Sequence, residues 1–217
     1  MNFWQNTCVK LRAVEPSDAE FFFEWNQDSE MTSAIDWLWP PSSLESLRRW
    51  TEEEARRRPT DDVFFLVIEN RAGERVGSIS PHQCDRRAGT FRYGVAIRRE
   101  YQRRGYASAA ILLVLRYFFE ELRYQKVTVN VHANNPASIR LHERLGFQLE
   151  GRLRRMVFSG GQLWDELHMG MTVEEFQARY GGAVEAAPQP ERAWPVPSWF
   201  SLPWLRQIIL RRHDRGV

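Results

Sequence analysis

Two arginines and a glycine sit together in "QRRGYA", Gln102 to Ala107, between a strand-like run, "TFRYGVAI", and a long apolar-striped segment, "SAAILLVLRYFFEEL". A helix start leaves its first amide N–H groups unpaired and carries partial positive charge, so it readily accepts phosphate oxygens. Glycine lets such a turn fold tightly, and successive N–H groups, here those from Gln102 through Tyr106 and Ala107, converge into an anion-binding concavity. Arg103 and Arg104 add positive charge beside Gly105. The strand ending just before the turn offers main-chain groups at Val95, Ala96 and Ile97 to an extended, amide-bearing ligand. Together these features suit a diphosphate joined to an amide chain, which is the make-up of coenzyme A. Taken alone, the pattern is more often a solvated turn.

A second constellation lies downstream. "NNPASIRLHERLGF" sets Asn135, Ser138, Leu141, His142, Gly146 and Phe147 at fixed offsets directly after a strand-like run, "KVTVNVH". Asn135-Pro136 reads as a helix start, with Asn135 as its cap, and Gly146 as the stop.

These two stretches need elements to hold them. "CVKLRAV" reads as a first strand, and "PSDAEFFFEWNQD" as a helix with Phe21, Phe22 and Trp25 inward. "SEMTSAIDWLWPPS" reads as a Trp- and Pro-rich loop, and "SLESLRRWTEEEARRR" as a second helix ended by Pro59. Three strands follow, "DVFFLVIE", "RVGSIS" and "TFRYGVAI". After the arginine turn, Ala107, Ala110, Ile111, Val114, Leu115, Phe118 and Leu122 keep the three-four spacing of one buried helical stripe. "FQLEGRLRRMVFS", the turn "GG" and "QLWDELHMGMT" read as a hairpin, and "VEEFQARYGG" as a last helix. The order predicts an α/β (α+β) fold, a mixed central sheet of about seven strands flanked by helices.

Composition bounds the rest. The 217 residues suit one domain with an appendage, and a net charge of +2 gives no argument for a nucleic-acid partner. Cys8 and Cys84 make no disulfide framework and lack metal-ligand spacing, so no metal is expected. No apolar stretch reaches transmembrane length and the N-terminus has no secretory pattern, which makes a cytoplasmic location the default. From about Gly182 the chain turns Pro- and Trp-rich, dividing it into a domain over 1–181 and a tail over 182–217. Three readings of the tail are open: docking on its own domain or on a dimer mate, which is preferred; a weak membrane-surface helix around Trp199, Phe200 and Trp204; or disorder.

Paired at this distance, "IRREYQRRGYASAA" and "NNPASIRLHERLGF" resemble the GCN5-related N-acetyltransferase (GNAT) family, most closely its ribosomal-protein N-terminal (Rim-type) branch. "LEGRLRRMVFSGGQLWDELHMGM" is similar to the hairpin in which that branch ends. The likeness runs from about Cys8 to Tyr180 and leaves the tail out. It implies a GNAT fold and acetyl-CoA as acyl donor. It also implies that Val95, Ala96 and Ile97 pair with the pantetheine arm, that the amides from Gln102 to Ala107 hold the pyrophosphate, and that Asn135 and Ser138 lie beside the cofactor. The "DWLWPP" loop and the hairpin end at Trp164, Asp165 and Glu166 would form the acceptor cleft, where Asp28, Glu30 and Asp36 favour a cationic amine.

The chain departs from the family in two places. His142 stands where many relatives have a tyrosine that acts as the general acid; a charged histidine could serve instead, with another pH dependence. A "LHE" triplet here is also similar to phosphinothricin-type acetyltransferases. Asn130 stands where some relatives carry a base glutamate, so the base would come from Glu30, Asp36, His132 or a water relay. The expected activity is acetyl transfer to a primary amine, either a protein N-terminus or a small-molecule amine. The alternatives are an amino-acid, antibiotic or polyamine acetyltransferase, and a non-catalytic acyl-CoA sensor.

Overall fold

A computed structural model describes residues 2–29, 40–59 and 62–181. Strands β1 (Val9–Ala13), β2 (Leu66–Asn70), β3 (Arg75–Asp85), β4 (Thr90–Ile97), β5 (Lys126–His132), β6 (Gln148–Ser159) and β7 (Gln162–Thr172) form one seven-stranded sheet. Its order is β1-β2-β3-β4-β5-β7-β6. All neighbours are antiparallel except β4 and β5. The helices are α1 (Ala19–Asn26), α2 (Leu44–Arg56), α3 (Tyr106–Arg116), α4 (Pro136–Leu145) and α5 (Val173–Tyr180). The mixed seven-stranded sheet flanked by helices is thus the expected one.

The strand alternation decides which face each side chain joins. Phe91, Tyr93 and Ile97 of β4, Val127, Val129 and Val131 of β5, and Met169 and Met171 of β7 all turn to one side. There they meet the stripe Ala110, Ile111, Val114, Leu115 and Phe118 of the third helix in one continuous core. Phe91 and Phe118 stack with ring centroids 3.9 Å apart. On the opposite face a smaller core forms from Phe21, Phe22 and Trp25 of α1 with Val14 and Val67, and Leu47 and Trp50 of α2 pack against it. These inward residues of α1 are those that its spacing predicts.

One charge cluster ties α1 to the sheet. Asp18 is fully buried, accepts two hydrogen bonds from Arg12 of β1 at 2.7 and 2.8 Å, and pairs with Arg75 of β3 at 3.3 Å. It also accepts the Glu15 amide at 2.9 Å, which closes the turn that leads into α1.

Three elements differ from expectation. β3 runs five residues past Ser80, through Pro81. β2 stops pairing at Ile79, so beyond it β3 has a partner on one side only, and an edge tolerates a proline without its N–H. The third helix switches to a π turn over Tyr117–Glu121. The second strand begins at Leu66 rather than Asp62. Most of the Trp-rich loop, with Glu30 and Asp36, and the tail over 182–217 lie outside the described residues.

Candidate active site

The arginine turn begins with a short 3-10 segment, Arg99–Tyr101, straight after β4. Arg103 and Gly105 both adopt positive φ, +61° and +83°, so the chain reverses sharply before α3 starts. Gly105 is the N-cap residue, and no side chain caps the helix. The first backbone bond of the helix runs from the Ala109 amide to the Gly105 carbonyl, 3.0 Å. Among the described residues, the amides from Arg103 to Ser108 therefore donate to no backbone carbonyl. That is a row of donors at a helix N-terminus with no acidic residue in its first turn, which fits a phosphate group. The Gln102 amide is an exception to the expected set. It donates back to the Arg99 carbonyl at 3.2 Å, while the Gln102 side chain donates to the Ile97 carbonyl at 3.1 Å. Arg104 rests over the Tyr101 ring, 5.4 Å from its centroid, beside the row.

The strand before the turn is exposed along one edge. β4 pairs with β3 as far as Ile97, but with β5 only at Thr90 and Phe91. From Arg92 onward the two parallel strands separate. Val95, Ala96 and Ile97 thus present a strand edge to the gap. An extended chain carrying amides can pair along such an edge. The edge leads directly to the amide row, so the residues present fit a diphosphate with an amide arm.

Asn135 caps α4: its side-chain oxygen accepts the Ser138 amide at 3.0 Å. His142 lies one turn after Ser138 and is buried, only 3% exposed. Its Nδ1 is 2.8 Å from the Ser138 carbonyl oxygen, which can only accept, so Nδ1 carries the proton. Nε2 is then the acceptor for the Tyr93 hydroxyl at 2.9 Å. Burial lowers the imidazole pKa from 6.5 to about 4, and burial pushes the Tyr93 phenol well above 10. Both groups are neutral at physiological pH. This corrects the expectation of a charged, proton-donating His142: desolvation disfavours the cation, and both ring nitrogens are occupied.

Asn130 points from the other face of β5 and is exposed. Its amide donates to Glu166 Oε1 of β7 at 3.1 Å, and His168 Nε2 reaches the same oxygen at 2.8 Å. Asp165, one residue earlier, accepts the Arg155 amide at 2.9 Å and the Arg152 guanidinium at 2.5 Å, contacts that hold its carboxyl below the usual range. Of the carboxylates near the open face, Asp28 forms a two-pronged pair with Arg99, both distances 3.0 Å. The Tyr93–His142 bond and the Asn130–Glu166 bond carry no sequence signal: each joins residues more than 30 positions apart through strand register and helix docking.

The fold and this arrangement of edge, gap and amide row are those of an acyl-CoA-dependent acetyltransferase. Residues 9–148 match the acetyltransferase (GNAT) domain family, and the chain belongs to it. It is an acetyltransferase that uses acetyl-CoA. The chain is 40% identical to the SPbeta prophage-derived uncharacterized N-acetyltransferase YokL of Bacillus subtilis, over 83% of this chain and 99% of that one. It is 27% identical to the putative ribosomal N-acetyltransferase YdaF of Bacillus subtilis, over 79% of this chain and 95% of that one. Among solved structures, spermidine N-acetyltransferase from Vibrio cholerae in complex with CoA and spermine shares the fold. Its TM-score is 0.68 at 24% identity, over 79% of this chain and 99% of that one.

Proposed function

We propose that this chain transfers an acetyl group from acetyl-CoA to a primary amine, a protein N-terminus or a small-molecule amine, by direct attack in a ternary complex. The observation that carries this reading is the amide row from Arg103 to Ser108 at the end of the unpaired β4 edge. Val95, Ala96 and Ile97 hold the pantetheine arm, the amides to Ala107 with Arg103 and Arg104 hold the pyrophosphate, and Asn135 and Ser138 flank the arm from α4. His142 acts as a positioning residue, holding Tyr93 and the start of α4 together. Aligning two bound substrates supplies several kcal/mol of the barrier reduction, ~7–11 kcal/mol at best. Main-chain N–H donors stabilise the oxygen as it becomes negative.

The relative named as a putative ribosomal acetyltransferase supports the Rim-type reading, in which the acceptor is a protein N-terminus. The structural likeness to a spermidine acetyltransferase supports a polyamine as the second acceptor class. A non-catalytic sensor is the remaining reading. Two unpaired cysteines suit a reducing compartment, in keeping with a cytoplasmic enzyme, and no helix among the described residues is long and apolar enough to cross a membrane.

The test is calorimetry with acetyl-CoA, then thiol release with n-butylamine, spermidine and a serine-initiated tripeptide. Turnover of the tripeptide alone supports the N-terminal reading, and turnover of spermidine alone the polyamine one. Binding without turnover would leave the sensor. No binding would overturn the proposal.

A further inference from the structure

We infer that Glu166, held by Asn130 and His168, is the group that takes the proton from the attacking amine. This rests on the acetyl-transfer reading above and completes it, because β5 itself carries an amide, not a carboxylate, at Asn130.

The placement comes from register. Asn130 pairs with His168 and His132 with Glu166 across β5 and β7. Thr128, Asn130 and His132 alternate with the core residues Val127, Val129 and Val131, so all five polar side chains lie on the sheet face away from α3. Asn130 stands three residues past Val127, the last β5 residue paired with β4, or about 10 Å along the strand. The Asn130–Glu166 contact therefore sits on the flank of the gap through which an acyl thioester must be met.

The chemistry of Glu166 separates it from its neighbours. Asp165 is bound by Arg152, and Glu150 by Lys126 at 2.6 Å, so each already has a cation. Among the described residues no lysine or arginine pairs with Glu166. Its partners among the described residues, the Asn130 amide and His168, both meet Oε1, and its side chain is 16% exposed. The second oxygen accepts from no described residue. A carboxylate fixed by one oxygen and open at the other is suited to receive an ammonium hydrogen, directly or through one water. The groups that face it are His132 across β5 and His168 along β7, while β6 offers Leu153 opposite. Farther over, Arg92 of β4 donates to Thr128 at 3.2 Å.

The ammonium gives one proton to the Glu166 carboxylate, and the freed nitrogen lone pair forms the N–C bond to the thioester carbonyl carbon. The C–S bond breaks with its electron pair on sulfur. A second nitrogen proton passes to the thiolate, giving the free thiol and the amide, and Glu166 releases its proton to solvent.

The test compares wild type with Glu166→Gln, using acetyl-CoA and whichever of n-butylamine, spermidine and the serine-initiated tripeptide the wild type acetylates fastest. Folding is followed by the thermal midpoint, and acetyl-CoA binding by calorimetry. The expected result is a fall in kcat of about 100-fold near pH 7, with the acetyl-CoA affinity unchanged, because a positioned base contributes ~10²–10⁴. The deficit should shrink as the pH is raised toward ~10, where an alkylamine deprotonates unaided. A purely structural role would give a deficit that does not vary with pH, and that result would overturn the assignment. Full kcat in Glu166→Gln would overturn it while leaving the acetyltransferase reading intact. A wild type that acetylates none of the three amines would remove both. Should Glu166→Gln fold poorly, Glu166→Asp serves instead, with partial activity and the same pH rescue expected, and a pH-independent loss overturning the role.

Discussion

The Tyr93 hydroxyl donates to Nε2 of His142 across 2.9 Å, joining the middle of β4 to the body of α4 over the mouth of the gap between β4 and β5. Each group is buried and each is the other's partner, so losing either leaves a polar atom without one. A buried unsatisfied group costs ~1–3 kcal/mol. Tyr93→Phe and His142→Ala are both expected to lower stability by amounts in or above this range, measured by urea unfolding. His142→Ala should also reduce kcat more than acetyl-CoA affinity. Unchanged kcat at every pH would remove His142 from any part in turnover.

The same pair gives a pH dependence with a defined sign. The folded pKa of His142 lies near 4, below the ordinary 6.5, so the unfolded chain binds the proton more readily. Its contribution to stability is complete above pH 6.5 and is lost as the pH falls toward 4, amounting to a few kcal/mol, on the order of 3. In His142→Gln this window should flatten relative to wild type in unfolding measurements between pH 7 and 4. Parallel curves would contradict the neutral, buried ring.

Gly105→Val tests the phosphate row. A β-branched residue at φ +83° is strained, and left-handed backbone costs ~1–2 kcal/mol for an L residue, so the turn should open and misdirect its amides. Acetyl-CoA affinity is expected to fall more than tenfold with the circular dichroism spectrum retained. Unchanged affinity in calorimetry would count against this turn as the site.

Asp18 offers a stability test remote from the chemistry. Asp18→Ala removes the two-pronged partner of Arg12, which keeps Glu69, one partner of the partly exposed Arg75, and the acceptor of the Glu15 amide. Hydrogen bonds to a charged group contribute ~1.5–3 kcal/mol. Chemical denaturation should show a loss of that size, and a loss below ~1 kcal/mol would mean the cluster is solvated.

The parts legible from sequence are those governed by local rules. Alternation in "TFRYGVAI" and the three-four stripe after "QRRG" fixed the strand, the turn and the third helix, because each depends on neighbours within a few residues. Gly105 marked the reversal because few other residues adopt its backbone angles. What stayed illegible depends on register. Nothing in the order of residues tells that Glu166 meets Asn130, 36 positions away, or that Tyr93 meets His142, 49 away. The histidine itself misled: its side-chain chemistry suggests a proton donor, and only its burial shows that the charged form is disfavoured. Likewise the run of β3 past "RVGSIS" is understood only once the missing partner on one side of the strand is seen.

Strands β1 to β4 and strands β5 to β7 meet along a seam of two residue pairs, Thr90 with Lys126 and Phe91 with Val127. A bound acyl donor laid along β4 would act as a splint across that seam, coupling two blocks of sheet that otherwise share little main-chain bonding there. Backbone amides on both sides should then exchange hydrogen more slowly once the donor is present, with the protection spreading to β7, which the donor itself does not touch.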